Sequence, residues 1–228
     1  MITANVYNRV FFIRADQYGT AFAIDYDGKQ YLVTAKHLIA DVQKSIRLFF
    51  DRKWIELPAT LIGLAIGEID IAVFRVEMLL CKNEYELPAT SKDIVIGQDI
   101  YFVGFPYKMW TDAGPALAGR PCPFIKKGTV SSAFVSNDGV HRIYIDAINN
   151  EGFSGGPIVF QPPGKMDFQV AGIVSKFKIE YEKVIDKDGE YTEMTVAYNT
   201  GFLIGFDISN AIDIIKKNPN GLPIPTHA

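Results

Sequence analysis

The chain has 228 residues, 48% of them apolar and 21% charged, with a formal charge of −3 from 23 basic and 26 acidic side chains. This is ordinary globular usage, sufficient to bury a sizeable core. The basic residues are scattered, with only the pairs Lys126-Lys127 and Lys216-Lys217, which argues against electrostatic binding to nucleic acid.

In chain order the sequence reads as short strands separated by turn signals. The first apolar run, Val10 to Ile13, lies between Arg9 and Arg14. It falls short of the roughly 7–15 apolar residues of a signal-peptide core. No stretch approaches the ~18 of a membrane span. A cytoplasmic address and no membrane partner are therefore expected. Tyr18 to Tyr26 and Gln30 to Ala35 flank Asp27-Gly28, a hairpin turn. A short helical turn is expected from Thr34 through His37 to Asp41. Ser45 to Phe50 and Trp54 to Leu57 flank Asp51-Arg52-Lys53, and Ile69 to Val76 forms the next strand. Asp99 to Gly104 is apolar and aromatic. Tyr107 to Phe124, rich in Gly, Pro and Ala, reads as a long surface loop.

Thr129 to Ser136 and His141 to Ala147 flank Asn137-Asp138-Gly139, a further hairpin. Ile158 to Gln161, Gln169 to Lys176 and Thr195 to Asn199 follow as strands, and Asp186 to Gly189 forms the tip of a hairpin from about Ile179 to Tyr198. The best helical pattern runs from Ser209 to Lys217, with lysines at its C-terminal end and Pro219 beyond. Many short strands with few helices predict an all-β sandwich or barrel fold. Two cysteines, Cys81 and Cys122, are too few for a disulfide-stapled scaffold of this size. Free thiols are expected, though the two remain able to pair. Three scattered histidines and two lone cysteines give no recurring ligand spacing, so neither a metal site nor a cofactor is expected.

Gly152-Phe153-Ser154-Gly155-Gly156-Pro157 is the segment that points to chemistry. An exposed nucleophilic serine needs a tight turn in which backbone N–H groups converge, and glycines permit one. Gly-x-Ser-x-Gly also fits the elbow of α/β-hydrolases. That alternative needs a helix after the serine, whereas Pro157 to Phe160 reads as a strand; it also needs a later histidine, and only the penultimate His227 follows. Of the three histidines, His141 sits beside a turn glycine, while His37 follows the clear strand Tyr31 to Ala35. A lone histidine in an apolar context is ordinarily a satisfied core side chain, so His37 needs independent support. Asp70, flanked by Ile69, Ile71 and Val73, is a carboxylate in an apolar strand and needs a partner. Asp41, Asp51 and Glu68 compete with it from more polar surroundings. The order His, Asp, Ser is that of chymotrypsin among the known triad orders.

Thr34-Ala35-Lys36-His37 resembles the Thr-Ala-x-His of the trypsin-like family, and Asp70-Ile71-Ala72-Val73 resembles its Asp-Ile-Ala segment. Asp146 to Pro157 is especially similar to the serine segment of the HtrA/Deg branch, and Gly172-Ile173-Val174-Ser175 resembles the strand that follows it. The likeness covers about residues 10 to 217. It implies two six-stranded antiparallel β-barrels around a cleft, with a C-terminal helix. One peptidase domain is expected over 1–228: a first barrel over 1–95, a second over 96–206 and the helix over 207–218. It further implies a serine endopeptidase acting on protein or peptide substrates, with His37 as base, Asp70 orienting it and Ser154 as nucleophile. The N–H groups of Gly152 and Ser154 would form the oxyanion hole, and the Ser175 carbonyl would bind substrate backbone.

The chain also departs from the family. Phe153 stands where digestive trypsins carry an aspartate that pairs with a newly cleaved N-terminus, so activation by such cleavage is not expected. Ile148, six residues before the serine, replaces the basic-specific pocket aspartate, which disfavours Lys or Arg at the cleaved position. Lys176 and Phe177 follow Ser175 where trypsins have Trp-Gly, and Phe177 would narrow the pocket. HtrA proteins typically continue into PDZ domains, and none is expected here. The competing readings are a catalytically weak or inactive trypsin-like fold acting as a protein-binding module, favoured by Phe153 and Phe177, and an esterase using the same triad. Oligomeric state is not legible in the residues.

Overall fold

The computed structural model describes residues 2–39, 45–82, 84, 86–136 and 138–225. Asp41, Asn137 and His227 lie outside them. Two β-sheets dominate. The first is built from β1 (Val10–Arg14), β2 (Tyr18–Tyr26), β3 (Lys29–Thr34), β4 (Ile46–Phe50), β5 (Lys53–Leu57), β6 (Ala59–Leu64) and β7 (Ala72–Val76). The second begins at β8 (Asp99–Gly104). A loop then carries the short pair β9 (Thr111–Asp112) and β10 (Pro121–Cys122). The second sheet resumes with β11 (Phe124–Val135), β12 (His141–Asp146), β13 (Pro157–Phe160), β14 (Gln169–Ile185) and β15 (Tyr191–Asp207). Helix α1 (Ala4–Tyr7) precedes the first sheet; α2 (Ser209–Lys217) and the two-residue β16 (Leu222–Pro223) end the chain.

The second sheet closes as the resemblance implies, a six-stranded barrel in the order β11-β12-β15-β14-β13-β8. The first does not close as a hydrogen-bonded ring. Its order is β5-β4-β1-β2-β3-β7-β6, with β16 added to β3. Pro58 alone separates β5 from β6, too short a link for an antiparallel reversal, and it has no N–H to give a ladder. The two strands are legs of one bent run, the first on β4 and the second on β7. A half-barrel results where a closed six-stranded barrel was expected.

Apolar alternation places one core inside each sheet, around Phe11, Leu32 and Phe74 in the first and Phe102, Phe153 and Leu203 in the second. A third core lies between the sheets, where Phe12, Phe22 and Val73 meet Phe105, Ile173 and Phe206. Helix α2 buries Ala211, Ile212 and Ile215 in that same core. Its N-terminus is capped by Asp207 Oδ1, which accepts from Ser209 N–H at 2.8 Å. The strands expected at 169–176 and 195–199 are parts of one ribbon, since β14 and β15 each run 17 residues. Its tip turns at Asp186, whose Oδ1 accepts from Asp188 N–H at 2.9 Å and Glu190 N–H at 3.0 Å. Among the described residues no helix is long and apolar enough to cross a membrane. Cys81 and Cys122 are both free thiols.

Candidate active site

The strand Tyr31 to Thr34 ends at Ala35, and a single 3₁₀ turn, Lys36–Leu38, carries His37 out of the sheet. The Thr34 hydroxyl donates to Thr20 O at 2.7 Å, fixing the point of exit. The Lys36 ammonium donates to Ala65 O at 3.0 Å and Gly67 O at 2.8 Å. Those carbonyls belong to the loop that leads into Asp70. The turn bearing the imidazole and the loop bearing the carboxylate are thus tied together.

Asp70 meets His37 at two points. Its Oδ1 accepts from the His37 main-chain N–H at 2.8 Å, and its Oδ2 lies 2.6 Å from His37 Nδ1. The Ser175 hydroxyl donates to the same Oδ2 at 2.6 Å. Burial pushes the Asp70 pKa up, but the hydrogen bonds from His37 and Ser175 outweigh it and hold the carboxyl below its ordinary value. The acid is only 13% exposed, while the imidazole is 41% exposed and reaches the cleft. Of the competing acids, Glu68 points outward to Arg142 at 3.3 Å and Asp51 occupies a β-turn.

Ser175 reaches Asp70 because of a β-bulge. The β14–β15 register shifts between Val174 and Lys176, leaving Ser175 as the extra residue. A bulge re-aims a side chain and frees main-chain groups. The Ser175 carbonyl accepts from Ser154 Oγ at 3.1 Å. Among the described residues no hydrogen bond joins Ser154 Oγ to the imidazole. Ser154 and His37 instead share the walls of one cleft of about 430 Å³.

The serine turn is clamped from below. Thr20 N–H donates to Ser154 O at 2.9 Å, and the Thr20 hydroxyl donates to Gly152 O at 2.7 Å and accepts from Phe105 N–H at 3.2 Å. Gly155 N–H donates to Val174 O at 2.8 Å and Val174 N–H to Gly156 O at 2.9 Å. Gly152 has φ 100°, and a Cβ there would stand 2.1 Å from Phe105 O, so the turn needs glycine on both counts. Among the described residues, neither Gly152 N–H nor Ser154 N–H has a protein acceptor. Phe153 is fully buried, its ring edge-on to Phe102 at 5.0 Å. It is packed in the second barrel, where an ionic aspartate would have no place.

The other candidate residues separate into two groups. Ser175, Lys176 and Phe177 line a second cleft of about 490 Å³ together with His37, Asp70 and Ile179. Ile148 lines neither cleft: it is 57% exposed, and its carbonyl accepts from Lys126 Nζ. His141 is exposed, lines neither cleft, and its carbonyl accepts from Asn210 Nδ2 at 3.2 Å. Sequence reasoning missed Thr20 and Asn149, each nearly fully buried. Asn149 Oδ1 accepts from Asn150 N–H at 2.8 Å, and its carbonyl accepts from Asn199 Nδ2 at 2.6 Å. The available signal was a lone polar residue inside an apolar run, Thr20 between Gly19 and Ala21. Among the described residues no group of acids, histidines and cysteines could hold a metal ion.

The fold is an all-β, chymotrypsin-like one. A family profile for the trypsin-like peptidase domain matches residues 19–165, and the chain belongs to that family. Among solved structures it is similar to the active form of the Rv3671c protease of M. tuberculosis, at TM-score 0.61 and 18% identity, over 99% of this chain and 87% of that one. It is also similar to the HtrA-type protease AlgW with a tripeptide, at TM-score 0.60 and 19% identity, over 94% of this chain. That match spans 61% of AlgW. Deg5 matches at TM-score 0.51 and 23% identity, over 75% of this chain and 81% of that one. These likenesses are of fold. No curated protein sequence matches the chain.

Proposed function

We propose that the protein is a serine endopeptidase in which Ser154, His37 and Asp70 act as nucleophile, base and orienting acid. The observation that carries this is the imidazole fixed at Nδ1 by a carboxylate and standing in the same cleft as the serine. Asp70 holds the tautomer in which Nε2 is free to accept a proton. Rotation about the Ser154 Cα–Cβ bond carries Oγ from the Ser175 carbonyl towards Nε2. The imidazole then takes the hydroxyl proton as Oγ attacks the scissile carbonyl. Negative charge collects on the carbonyl oxygen, where the N–H groups of Gly152 and Ser154 are available to receive it. The imidazolium gives its proton to the leaving amine, and water hydrolyses the acyl-enzyme by the same steps. A substrate is a peptide whose backbone pairs with Ser175. Lys176 and Phe177 border the bound chain.

The Ser154–Ser175 bond also suits a second reading, in which the fold binds peptides without cleaving them. A fluorophosphonate probe separates the two. Covalent labelling of wild type at Ser154, absent in Ser154→Ala and His37→Ala, supports the peptidase. A well-folded wild type that does not label supports the binding module.

A further inference from the structure

Of the two N–H groups assigned to the oxyanion, that of Ser154 lies inside a turn clamped by Thr20, Gly155 and Gly156. Gly152 is held at its carbonyl, which accepts from the Thr20 hydroxyl at 2.7 Å, but that bond does not fix the peptide before it, and glycine offers little resistance to rotation of that peptide. What sets its direction is the other end of that peptide. In a planar trans peptide the carbonyl and the following N–H point to opposite sides. The Glu151 carbonyl accepts from Tyr107 N–H at 2.9 Å, so Gly152 N–H points away from the Tyr107 backbone.

Making that bond strains the chain. Tyr107 has φ 51° and ψ 29°, and Lys108 has φ 62°. Two consecutive residues with a Cβ in the left-handed region are unusual, and such conformations persist only where surrounding contacts over-determine them. Those contacts are present. Asn150 Nδ2 donates to the Tyr107 hydroxyl at 2.8 Å, and Asn150 Oδ1 accepts from Lys126 Nζ at 2.8 Å. The Lys108 ammonium stands 4.4 Å over the Tyr18 ring. Further along, Trp110 packs on Phe49 at 5.1 Å. Tyr107 thus grips residues 150 and 151 with both its side chain and its main chain, from a backbone conformation it would not adopt unaided.

We propose that Tyr107 is a positioning residue of the oxyanion hole, holding the Glu151–Gly152 peptide so that Gly152 N–H is presented to the reacting carbonyl. This rests on the serine peptidase reading. Without the Tyr107 bond, rotation of the peptide would turn the Glu151 carbonyl towards the developing negative charge.

The test is a series at position 107 in the full chain, assayed on a peptide substrate with kcat and KM separated. Asn and Gly accept the left-handed conformation and keep the N–H; Val resists it, and Pro excludes it and lacks the N–H. Val and Pro should lose kcat by about 30- to 100-fold with KM changed less than about threefold. Asn and Gly should stay within about fivefold of wild type. Affinity for a peptide aldehyde, whose adduct oxygen occupies the hole, should fall in step with kcat. If the Pro variant does not fold, the Val and Asn pair decides. Val and Asn variants with equal kcat overturn the assignment of Tyr107 while leaving the peptidase intact. A wild type that neither labels with fluorophosphonate nor turns over overturns both.

Discussion

The Ser175 hydroxyl and the Asp70 carboxylate are joined by a 2.6 Å hydrogen bond that crosses from the second sheet to the loop before β7. The oxygen it reaches is the one that faces His37 Nδ1. Docking of the two sheets and orientation of the histidine are therefore the same event. Ser175→Ala should remove one hydrogen bond to a charged group, worth roughly 1.5–3 kcal/mol. Its kcat should fall about 4- to 12-fold if half of that loss appears in the transition state. KM should hardly move, because the backbone carbonyl remains. Steady-state kinetics and urea unfolding check both halves.

Asp70 also gives a pH dependence with a definite sign. Its native pKa lies below the ordinary value of 3.8, so near that pH the unfolded chain binds more protons than the native one. The stabilisation is complete above the ordinary value and is lost as pH falls through the lower native one. Urea unfolding of wild type and Asp70→Asn should show a stability gap that is constant at neutral pH and shrinks below about pH 4. A gap that widens on acidification would reject the assignment.

Gly152→Ala should be severe. A methyl group 2.1 Å from Phe105 O, on a residue at φ 100°, forces the turn to move. A loss of about 2–4 kcal/mol in stability is expected from the collision and the strained backbone together. Loss of one oxyanion donor should lower kcat by about 100-fold. Gly164→Ala makes a control, since a Cβ there meets nothing within 4 Å although its φ is 75°. Comparing the two separates the cost of positive φ from that of collision.

Phe153 is buried completely against Phe102 and Gly104. Phe153→Ala should cost about 3–5 kcal/mol through the cavity it leaves. Phe153→Asp should cost more, because it buries a charge with no built partner. Thermal and urea unfolding measure both. Equal stability of the two variants would mean that the ring does not fill the site.

The two thiols should differ in reactivity. Burial pushes Cys81 up to about 12, leaving almost no thiolate at neutral pH, whereas Cys122 is partly exposed. Brief iodoacetamide treatment of the native protein followed by peptide mapping should find the label on Cys122.

Much of this molecule is local and therefore readable. The Asp27-Gly28 hairpin, the helix at Ser209–Lys217 and the β8 strand each follow from residues adjacent in sequence. The Gly-rich serine turn is likewise visible, because only glycines permit its backbone at 152 and 155. What was not readable depends on pairs far apart. Nothing near Pro58 says that β5 and β6 will pair with different neighbours, so the half-barrel appears only in the sheet order. The bulge that points Ser175 at Asp70 is a property of two strands in register. Ile148 shows the limit of counting along a loop: a fixed offset from Ser154 does not say which way a side chain faces, and this one faces solvent. Thr20 and Tyr107 make their hydrogen bonds to residues far along the chain, partners that the neighbouring sequence does not name.

Helix α2 and β16 have one more consequence. Both come late in the sequence, yet they lie against the sheet made at its beginning: β16 pairs antiparallel with β3 at Gln30 and Lys29, and Ile214 of α2 packs beside Gly63. During synthesis the opening sheet is thus translated first and sealed last. Its apolar flank stays bare on the ribosome until Ser209 to Pro223 emerge, and the two halves reach their finished state together.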